Sequence, residues 1–596
     1  MSASEHRTPN TDPLLFWAMA AVTALMVCVA ATFKEYSPDV PLHLKLGEII
    51  LHERHIPDKA VFLFTNAEYP WLDHEWLFQV MTYAIHQATG IGGLIAWRMG
   101  LALLIAGLMW RAAGNAHPLA KGVAMLFAAP VIGTRLCIRP ELLTLLFLAV
   151  CLVGLERWDK RWLYVLPAVF VVWANVHAFF LGGLALIFIY AMCATAEGLR
   201  RSEARPVARE LWLLLACCIA ACFVNPFFHR GAIYPITELI ELGDRRKVFF
   251  GAISELASPF ERAGQPGDDF RAYRMLVYLT AISFAANARG FRWVHLAGAA
   301  ATGLASFRVG RNIGLFAVVA GPVLAHNLSG FGAWLAGRMP ERTTLWLKWA
   351  CCGLAACASL VLAREIVSDR YYARLQTVKR FGVGWSDWVY PKRAADFLEE
   401  AGVTGRLFND FETGSYLIWR AHPRRRVFIN GNTSFYPPEF FVAYQKVKSG
   451  EVSPSQAARK HGLDGFLLSH FSGSEAVVRE LVRHGGWRLA YFDELGCLFL
   501  RKDSPVANAT EPDLTLALPD ERLDYEWGAL RALRACGLLP RREVVPLSRM
   551  MRAKFLLAAG RAEAALADAR RAAALAPENA QAQFTLGEVC YGLGLR

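Results

Sequence analysis

Carboxylates and guanidinium groups recur in this chain where long apolar stretches end. Asp39, in Ser37-Pro38-Asp39-Val40-Pro41, stands shortly after the first apolar run, and Asp73-His74-Glu75 stands before the next. Arg139-Pro140-Glu141, Asn175-Val176-His177, Asn225-Pro226, Glu255 ahead of Ser258-Pro259, and Arg308 with Arg311-Asn312 mark later junctions. Two chemistries suit such a set. A guanidinium fork matches the oxygens of a phosphate, and a carboxylate can take the proton of an attacking hydroxyl or orient an acceptor. The plainer reading is that loop ends are where polar side chains belong, with arginines there meeting lipid headgroups. The sequence holds no P-loop, no GxGxxG opening a helix, no HExxH and no Ser/His/Asp order. His43, His52 and His55 lack zinc spacing, and the 13 cysteines include no CxxC pair. No metal ligands are assigned and no cofactor is called for, although a divalent metal is compatible with the acids.

The elements that must position these residues are apolar helices. Of 596 residues, 55% are hydrophobic and 19% charged, with a mean hydropathy of +0.28, which argues against an ordinary soluble enzyme. A bilayer span needs about 20 mainly apolar residues. Candidates run from Leu14 to Thr32, Leu94 to Ala113, Gly122 to Ile138, Leu142 to Leu155, Leu163 to Val176, Phe179 to Ala196, Leu211 to Phe227, Met275 to Ala286, Val294 to Ser306, Ile313 to Asn327 and Leu345 to Leu362. The first run, with only His6 and Arg7 as basic residues before it, is too long for a secretory h-region and lacks a small-residue cleavage site, so it reads as a retained helix.

Basic residues then vote on sidedness. Arg157, Lys160 and Arg161 share one loop, Arg200, Arg201, Arg205 and Arg209 another, and Arg289 with Arg292 and Arg338 with Arg342 two more. About eleven spans and a cytoplasmic N-terminus make all four loops cytoplasmic, as the positive-inside rule asks. Only Arg230, Arg245, Arg246 and Lys247 fall outside, in a long loop where the rule is weaker. The net charge of +13 thus reflects orientation in a membrane rather than a nucleic-acid partner. The expected location is a bacterial inner membrane, with every junction residue above on the outer face and the soluble C-terminal half in the periplasm.

Three domains are expected: a bundle over 1–368 with a large first outer loop (33–76), a small periplasmic α/β domain over 369–505, and a helical segment over 506–596. The first loop carries the amphipathic stretch Leu42 to Leu51, suited to lie along the membrane surface. In the α/β domain, helices are expected over Ala394–Ala401, Pro438–Lys448 and Glu475–His484. Strands are expected at Arg406–Asn409, Val427–Ile429, Gly465–Ser469, Trp487–Phe492 and Cys497–Arg501. Asn409-Asp410-Phe411-Glu412-Thr413-Gly414 reads as a strand-to-helix turn with an N-cap rather than an active loop. In the last segment Ala553 and Gly560 are matched 34 positions on by Gly587 and Gly594. With Leu586-Gly587 and Tyr591, this is a tetratricopeptide-like period that must pack on its neighbours or on a partner.

These features together resemble the GT-C superfamily of membrane glycosyltransferases, which use polyprenyl-phosphate-linked sugars. More locally, Asp39-Val40-Pro41-Leu42-His43-Leu44-Lys45-Leu46-Gly47, Ile56-Pro57-Asp58, His74-Glu75-Trp76-Leu77, Asn175-Val176-His177 and Arg311-Asn312 resemble a bacterial group of such proteins. That resemblance extends to Phe408-Asn409-Asp410 and Gly414-Ser415-Tyr416-Leu417-Ile418-Trp419. It implies a catalytic or acceptor-positioning role for Asp39. The superfamily often pairs two adjacent acids in this loop, but Val40 follows Asp39 here, so a second carboxylate falls to Glu75 or Glu141. Related soluble domains read Asp-Gly-Arg where this chain has Asn430-Gly431-Asn432.

The resulting expectation is a polytopic α-helical, GT-C-like membrane protein that moves a sugar from a polyprenyl-phosphate carrier to a lipid, glycan or protein acceptor. Asp39 and Glu75 are its catalytic candidates, and Arg139, Glu141, Asn175, His177, Arg308, Arg311 and Asn312 would bind substrate. Membrane lipids, and a protein partner on the tetratricopeptide-like segment, complete the expected partners. A non-catalytic assembly scaffold and a glycan or lipid transporter are the rivals, and outer-end rather than midplane charges count against transport.

Overall fold

The structure is a computed structural model that describes residues 13–249, 254–263, 268, 270–504, 512, 514, 528–542 and 546–595. His6 and Arg7 lie outside the described residues, as do the side chains of Arg245, Arg246 and Lys247. The chain opens with α1 (Pro13–Ala31), α2 (Val40–Glu53), α3 (Trp76–Ala112), α4 (Pro118–Gly133), α5 (Glu141–Arg157), α6 (Lys160–Val176) and α7 (Phe180–Arg200). There follow α8 (Arg205–Ala221), α9 (His229–Phe249), α10 (Arg271–Ala286), α11 (Trp293–Arg308), α12 (Ile313–Ala336), α13 (Glu341–Val367) and α14 (Arg370–Arg374). The remainder runs α15 (Lys392–Glu400), β1 (Leu407–Asn409), α16 (Gly414–Ala421), α17 (Pro438–Lys448), α18 (Pro454–His461), β2 (Gly465–Ser469) and α19 (Glu475–Arg483). It closes with β3 (Trp487–Phe492), β4 (Gly496–Arg501), α20 (Gly528–Ala535), α21 (Leu547–Ala558), α22 (Ala562–Leu575) and α23 (Ala580–Gly592).

Each of the eleven apolar stretches falls on a helix: α1, α3, α4 to α8 and α10 to α13. Among the described residues five helices are long and apolar enough to cross a bilayer on their own: α1, α3, α7, α12 with the turn before it, and α13. The protein is a multi-pass membrane protein. Local chemistry sets several helix starts. The His117 ring accepts from Leu119 N with Pro118 at the first helical position of α4, and the Asp159 carboxylate accepts from Arg161 N at the start of α6. Gly90, at φ 66°, interrupts α3 where a side chain would strain the backbone.

The chain forms two compact units, and their membership departs from the expected division. One holds Met1–Phe33, His74–Phe78 and Ala88–Thr377; the other joins Lys34–Asp73 and Gln79–Gln87 to Val378–Arg596. The first loop therefore folds with the C-terminal region. Leu63 bridges to Val427, Phe64 N donates to Val427 O, and the Thr65 hydroxyl donates to Phe428 O. Val427–Ile429 pairs with this loop through a single bridge instead of forming a strand of the sheet. Phe62 and Trp71 pack on Phe435, with ring centroids 6.0 and 4.7 Å apart. The amphipathic stretch is α2, and Leu42, Leu44, Leu46 and Ile50, with His43 and Lys45, are buried, while Leu51 stays exposed. At Gly47 a Cβ would fall 2.2 Å from Gln79 O, so only glycine allows this backbone approach.

The sheet of the second unit has the order β1-β2-β4-β3, with β1 and β2 parallel and the other pairs antiparallel. Phe408, Phe428, Phe466 and Tyr444 fill its core. Asp410 builds the turn after β1: its carboxylate accepts from Ser469 N at 2.5 Å and from the Ser474 hydroxyl at 2.9 Å. Thr413 occupies the expected N-cap position without a side-chain cap bond. The 34-residue period appears as two left-handed glycines, Gly560 and Gly594, closing α21 and α23. Met550, Ala572 and Ala582 form a small core among α21, α22 and α23, and Phe555 packs on His470 and Phe492.

Candidate active site

In the bundle unit the junction between α4 and α5 gathers charge. Glu141 opens α5, where the helix dipole favours an acid. Arg135 grips it as a fork, Nε at 3.0 Å and Nη2 at 2.6 Å, with both side chains about nine-tenths buried. Arg139 Nη1 lies 2.9 and 2.7 Å from the two oxygens of Glu255, and Arg135 Nη2 stands 3.7 Å from the same carboxylate. Arg311, in the short turn ahead of α12, brings Nε to 3.9 Å from Glu141. Three guanidinium groups thus face two carboxylates. Burial alone would raise the Glu255 carboxyl, but Arg139, Arg135 and Arg311 outweigh it and hold it well below the ordinary carboxylate range. Arg311 Nε is buried with no hydrogen-bond partner, so this guanidinium keeps a donor in reserve.

In the second unit Asp39 precedes α2, and its carbonyl accepts from His43 N at 3.1 Å. A Cβ on Gly431 would lie 2.9 Å from Asp39 Oδ1 and 3.9 Å from Ser415 Oγ, so the glycine makes room for the carboxylate. The Asn430-Gly431-Asn432 turn is held by its own side chains. Asn430 Oδ1 accepts from Asn432 N at 3.2 Å, Asn432 Oδ1 accepts from Ser434 N at 3.0 Å, and the Tyr436 hydroxyl donates to Asn430 O. The turn is a spacer for Asp39 with no charge of its own.

No protein-family model matches the chain, and no curated protein matches it in sequence. In structure it is similar to the apo oligosaccharyltransferase of Archaeoglobus fulgidus, at 12% identity and a TM-score of 0.50 over 78% of this chain and 71% of that one. The oligosaccharyltransferase AglB of Archaeoglobus fulgidus, in complex with an inhibitory peptide and a dolichol-phosphate, aligns at 11% identity and a TM-score of 0.49, over 83% and 75%. ArnT from Cupriavidus metallidurans in the apo state aligns at 15% identity and a TM-score of 0.43, over 82% and 97%. The chain shares its fold with the apo oligosaccharyltransferase.

Within the bundle the other expected residues fare differently. Asn175 is fully spent on structure: Oδ1 accepts from Trp76 Nε1 at 2.9 Å, and Nδ2 donates to Val171 O and Val224 O. His177 Nδ1 meets the Thr144 hydroxyl at 2.8 Å, and Trp173 Nε1 donates to that same hydroxyl. Glu75 lies 3.5 Å from His74, whose ring stacks on Tyr234 at 4.4 Å and faces His177 at 6.5 Å. Asn312 donates to Ala305 O and closes the end of α11, while Arg308 is exposed and makes no ion pair among the described residues. Arg135 was not among the expected site residues, nor was Glu255 assigned a role. The signal for Arg135 was an arginine inside an apolar run, which is costly unless it is paired. Among the described residues no group of three or more His, Cys, Asp or Glu side chains stands together as metal ligands.

Proposed function

We propose that this protein is a membrane glycosyltransferase that moves a sugar from a polyprenyl-phosphate carrier to a lipid, glycan or protein acceptor on the periplasmic side of a bacterial inner membrane. The observation that carries this reading is the surplus guanidinium of the α4–α5 cluster, with Arg311 Nε unbonded on its edge. Arg135 and Arg139 are fixed by Glu141 and Glu255, which leaves Arg311 to meet a carrier phosphate. Asp39 supplies the base. The acceptor oxygen or nitrogen attacks the sugar's anomeric carbon, the bond from that carbon to the phosphate oxygen breaks, and the carrier leaves as polyprenyl phosphate while Asp39 takes the acceptor's proton. Positive-inside counting supports the orientation.

The test is Asp39→Asn, which keeps size and hydrogen-bonding reach but removes the proton-accepting charge. Transfer should fall by about 10² to 10⁴, the usual loss for a general base, at unchanged protein level. The readout is loss of a glycan phenotype on complementing a deletion strain. Full complementation by Asp39→Asn would sink the catalytic role and favour a scaffold acting through α21 to α23.

A further inference from the structure

The opposite end of α5 carries a second charged cluster that the proposed reaction does not use. Glu141 and Glu156 are fifteen residues apart on one helix, which at 1.5 Å per residue separates them by about 22 Å. The Glu156 carboxylate accepts from Arg292 Nη1 at 2.6 Å and from the Tyr190 hydroxyl, with His295 Nε2 at 3.1 Å. Its side chain is 8% exposed and that of His295 5%. These groups line a cavity of about 730 Å³, within the roughly 300–1,000 Å³ of small-molecule sites. One wall is polar and includes Arg157 and His326; the other is apolar, with Leu186, Val319, Pro322 and Val323.

The polar wall has a donor to offer. A guanidinium can only donate, and Arg292 Nη1 stands 2.8 Å from His295 Nε2, so that nitrogen accepts and Nδ1 carries the hydrogen. In an imidazolium Nδ1 carries it as well. Yet Nδ1 is buried with no partner, and an unmade buried hydrogen bond costs about 1–3 kcal/mol. Glu156 already accepts from Arg292 and Tyr190, with the bare His295 Nε2 its more distant neighbour, so the ionised groups of the lining leave a positive excess through Arg157, whose Nη1 donates to Asn115 at 3.3 Å. Acceptor-rich negative charge beside an apolar wall describes an anionic amphiphile. We propose that this cavity is a second ligand site, distinct from the Arg311 cluster, which holds the phosphate of a lipid headgroup with the first carbons of its chain against Leu186 and Val319.

The probes are dioleoylphosphatidylglycerol, dioleoylglycerol and inorganic phosphate, each added to the full delipidated chain in detergent. Thermal unfolding and native mass spectrometry report binding. Phosphatidylglycerol should raise the melting temperature and remain bound, whereas dioleoylglycerol, lacking the phosphate, should do neither. A Cβ at Gly298 would meet Leu186 and Val319 at an ordinary 3.7 Å, so Gly298→Leu roots without a clash and grows into the cavity. This variant should weaken the lipid about tenfold or more, and Arg157→Gln, a change at an exposed side chain that the fold tolerates, should weaken it by about the same factor, as expected for one charged hydrogen bond. Equal lipid binding by the parent and both variants overturns the site. An equal response to inorganic phosphate and to the lipid overturns the headgroup assignment and makes the ligand a free anion.

Discussion

The helical bundle and the α/β part of the second unit hold their carboxylates by different means. In the bundle, the buried Glu141 and Glu156 and the half-buried Glu255 are each met by arginines, whereas in the α/β part of the second unit Asp410 is held by a backbone N–H and a serine hydroxyl; Asp568, on helix α22 of the same unit, is again met by Arg549 and Arg552. The difference follows from where backbone donors are available. A helix uses its own N–H groups internally except in the first turn, and a lipid-embedded bundle has little irregular backbone to lend. An acid buried there needs a side-chain donor, and a guanidinium satisfies both its charge and its two oxygens. Loops of an α/β domain leave amides free, so neutral donors suffice. In the bundle the carboxylates consequently act as clamps that aim arginines.

This contrast breaks most visibly at Arg135. Arg135→Ala leaves Glu141 buried, with Arg311 only at 3.9 Å, and should cost about 3 kcal/mol, the lower end of the range for breaking a buried pair. Thermal unfolding in detergent measures it. The double variant Arg135→Met with Glu141→Leu should regain most of the loss, since neither charge of that pair then remains. A double variant as unstable as the single one would mean that the pair is not what fixes this junction.

Which parts were legible in the sequence follows from which signals are local. Hydropathy along one stretch placed all eleven apolar helices, and β2 and β3 fall where short apolar runs between turn residues put them. Long-range partnership was not legible. The apolar positions of Leu42 to Leu51 suit a membrane surface, and nothing local in them points to folding with the C-terminal region, several hundred residues on. Val427 reads as a strand by composition, yet it pairs with Leu63 across that same gap. At the site, Glu141, Arg139 and Arg311 stood out as charges at junctions. Arg135 hid because a single arginine barely lowers the hydropathy of its run, and Arg98, buried in α3 and donating to Ala31 O and Phe33 O, hid for the same reason.

Acid separates the units next. Burial pushes the His470 imidazole down from 6.5 to about 3, with Asp493 O its hydrogen-bond acceptor and Phe555 packed on its ring. The unfolded chain binds that proton and the folded one does not, so stability is lost as pH falls from about 6.5 toward about 3. At pH 5 the loss is about 2 kcal/mol, at 1.36 kcal/mol per unit below 6.5. Glu255 has the opposite sign pattern. Its lowered carboxyl gives stability that is complete above about 4.5 and is lost only below it. Between pH 6.5 and 4.5, therefore, the second unit should loosen while the Arg139–Glu255 clamp holds. Limited proteolysis across that range should cut first within 378–595, and His470→Phe should flatten the dependence. Cleavage beginning in the bundle would contradict the assignment.

The smallest expected effect sharpens the contrast most, because it asks whether the clamps serve a purpose beyond the fold. Arg311 is the guanidinium of its cluster with a buried, unbonded Nε, and its side chain is 35% exposed. Unlike Arg135 it secures no carboxylate at hydrogen-bond distance among the described contacts, so Arg311→Ala should leave the melting temperature nearly unchanged. If it meets a carrier phosphate, the variant should bind a polyprenyl-phosphate probe about tenfold more weakly, near 1.4 kcal/mol, the low side of a charged hydrogen bond. Arg311→Lys keeps the charge but not the fork, and should recover only part of the affinity. Equal binding by all three proteins would place the phosphate elsewhere and reduce Arg311 to a contact with bulk lipid headgroups. A large drop in stability would instead make it a third clamp, and the division of labour among the arginines would then be wrong.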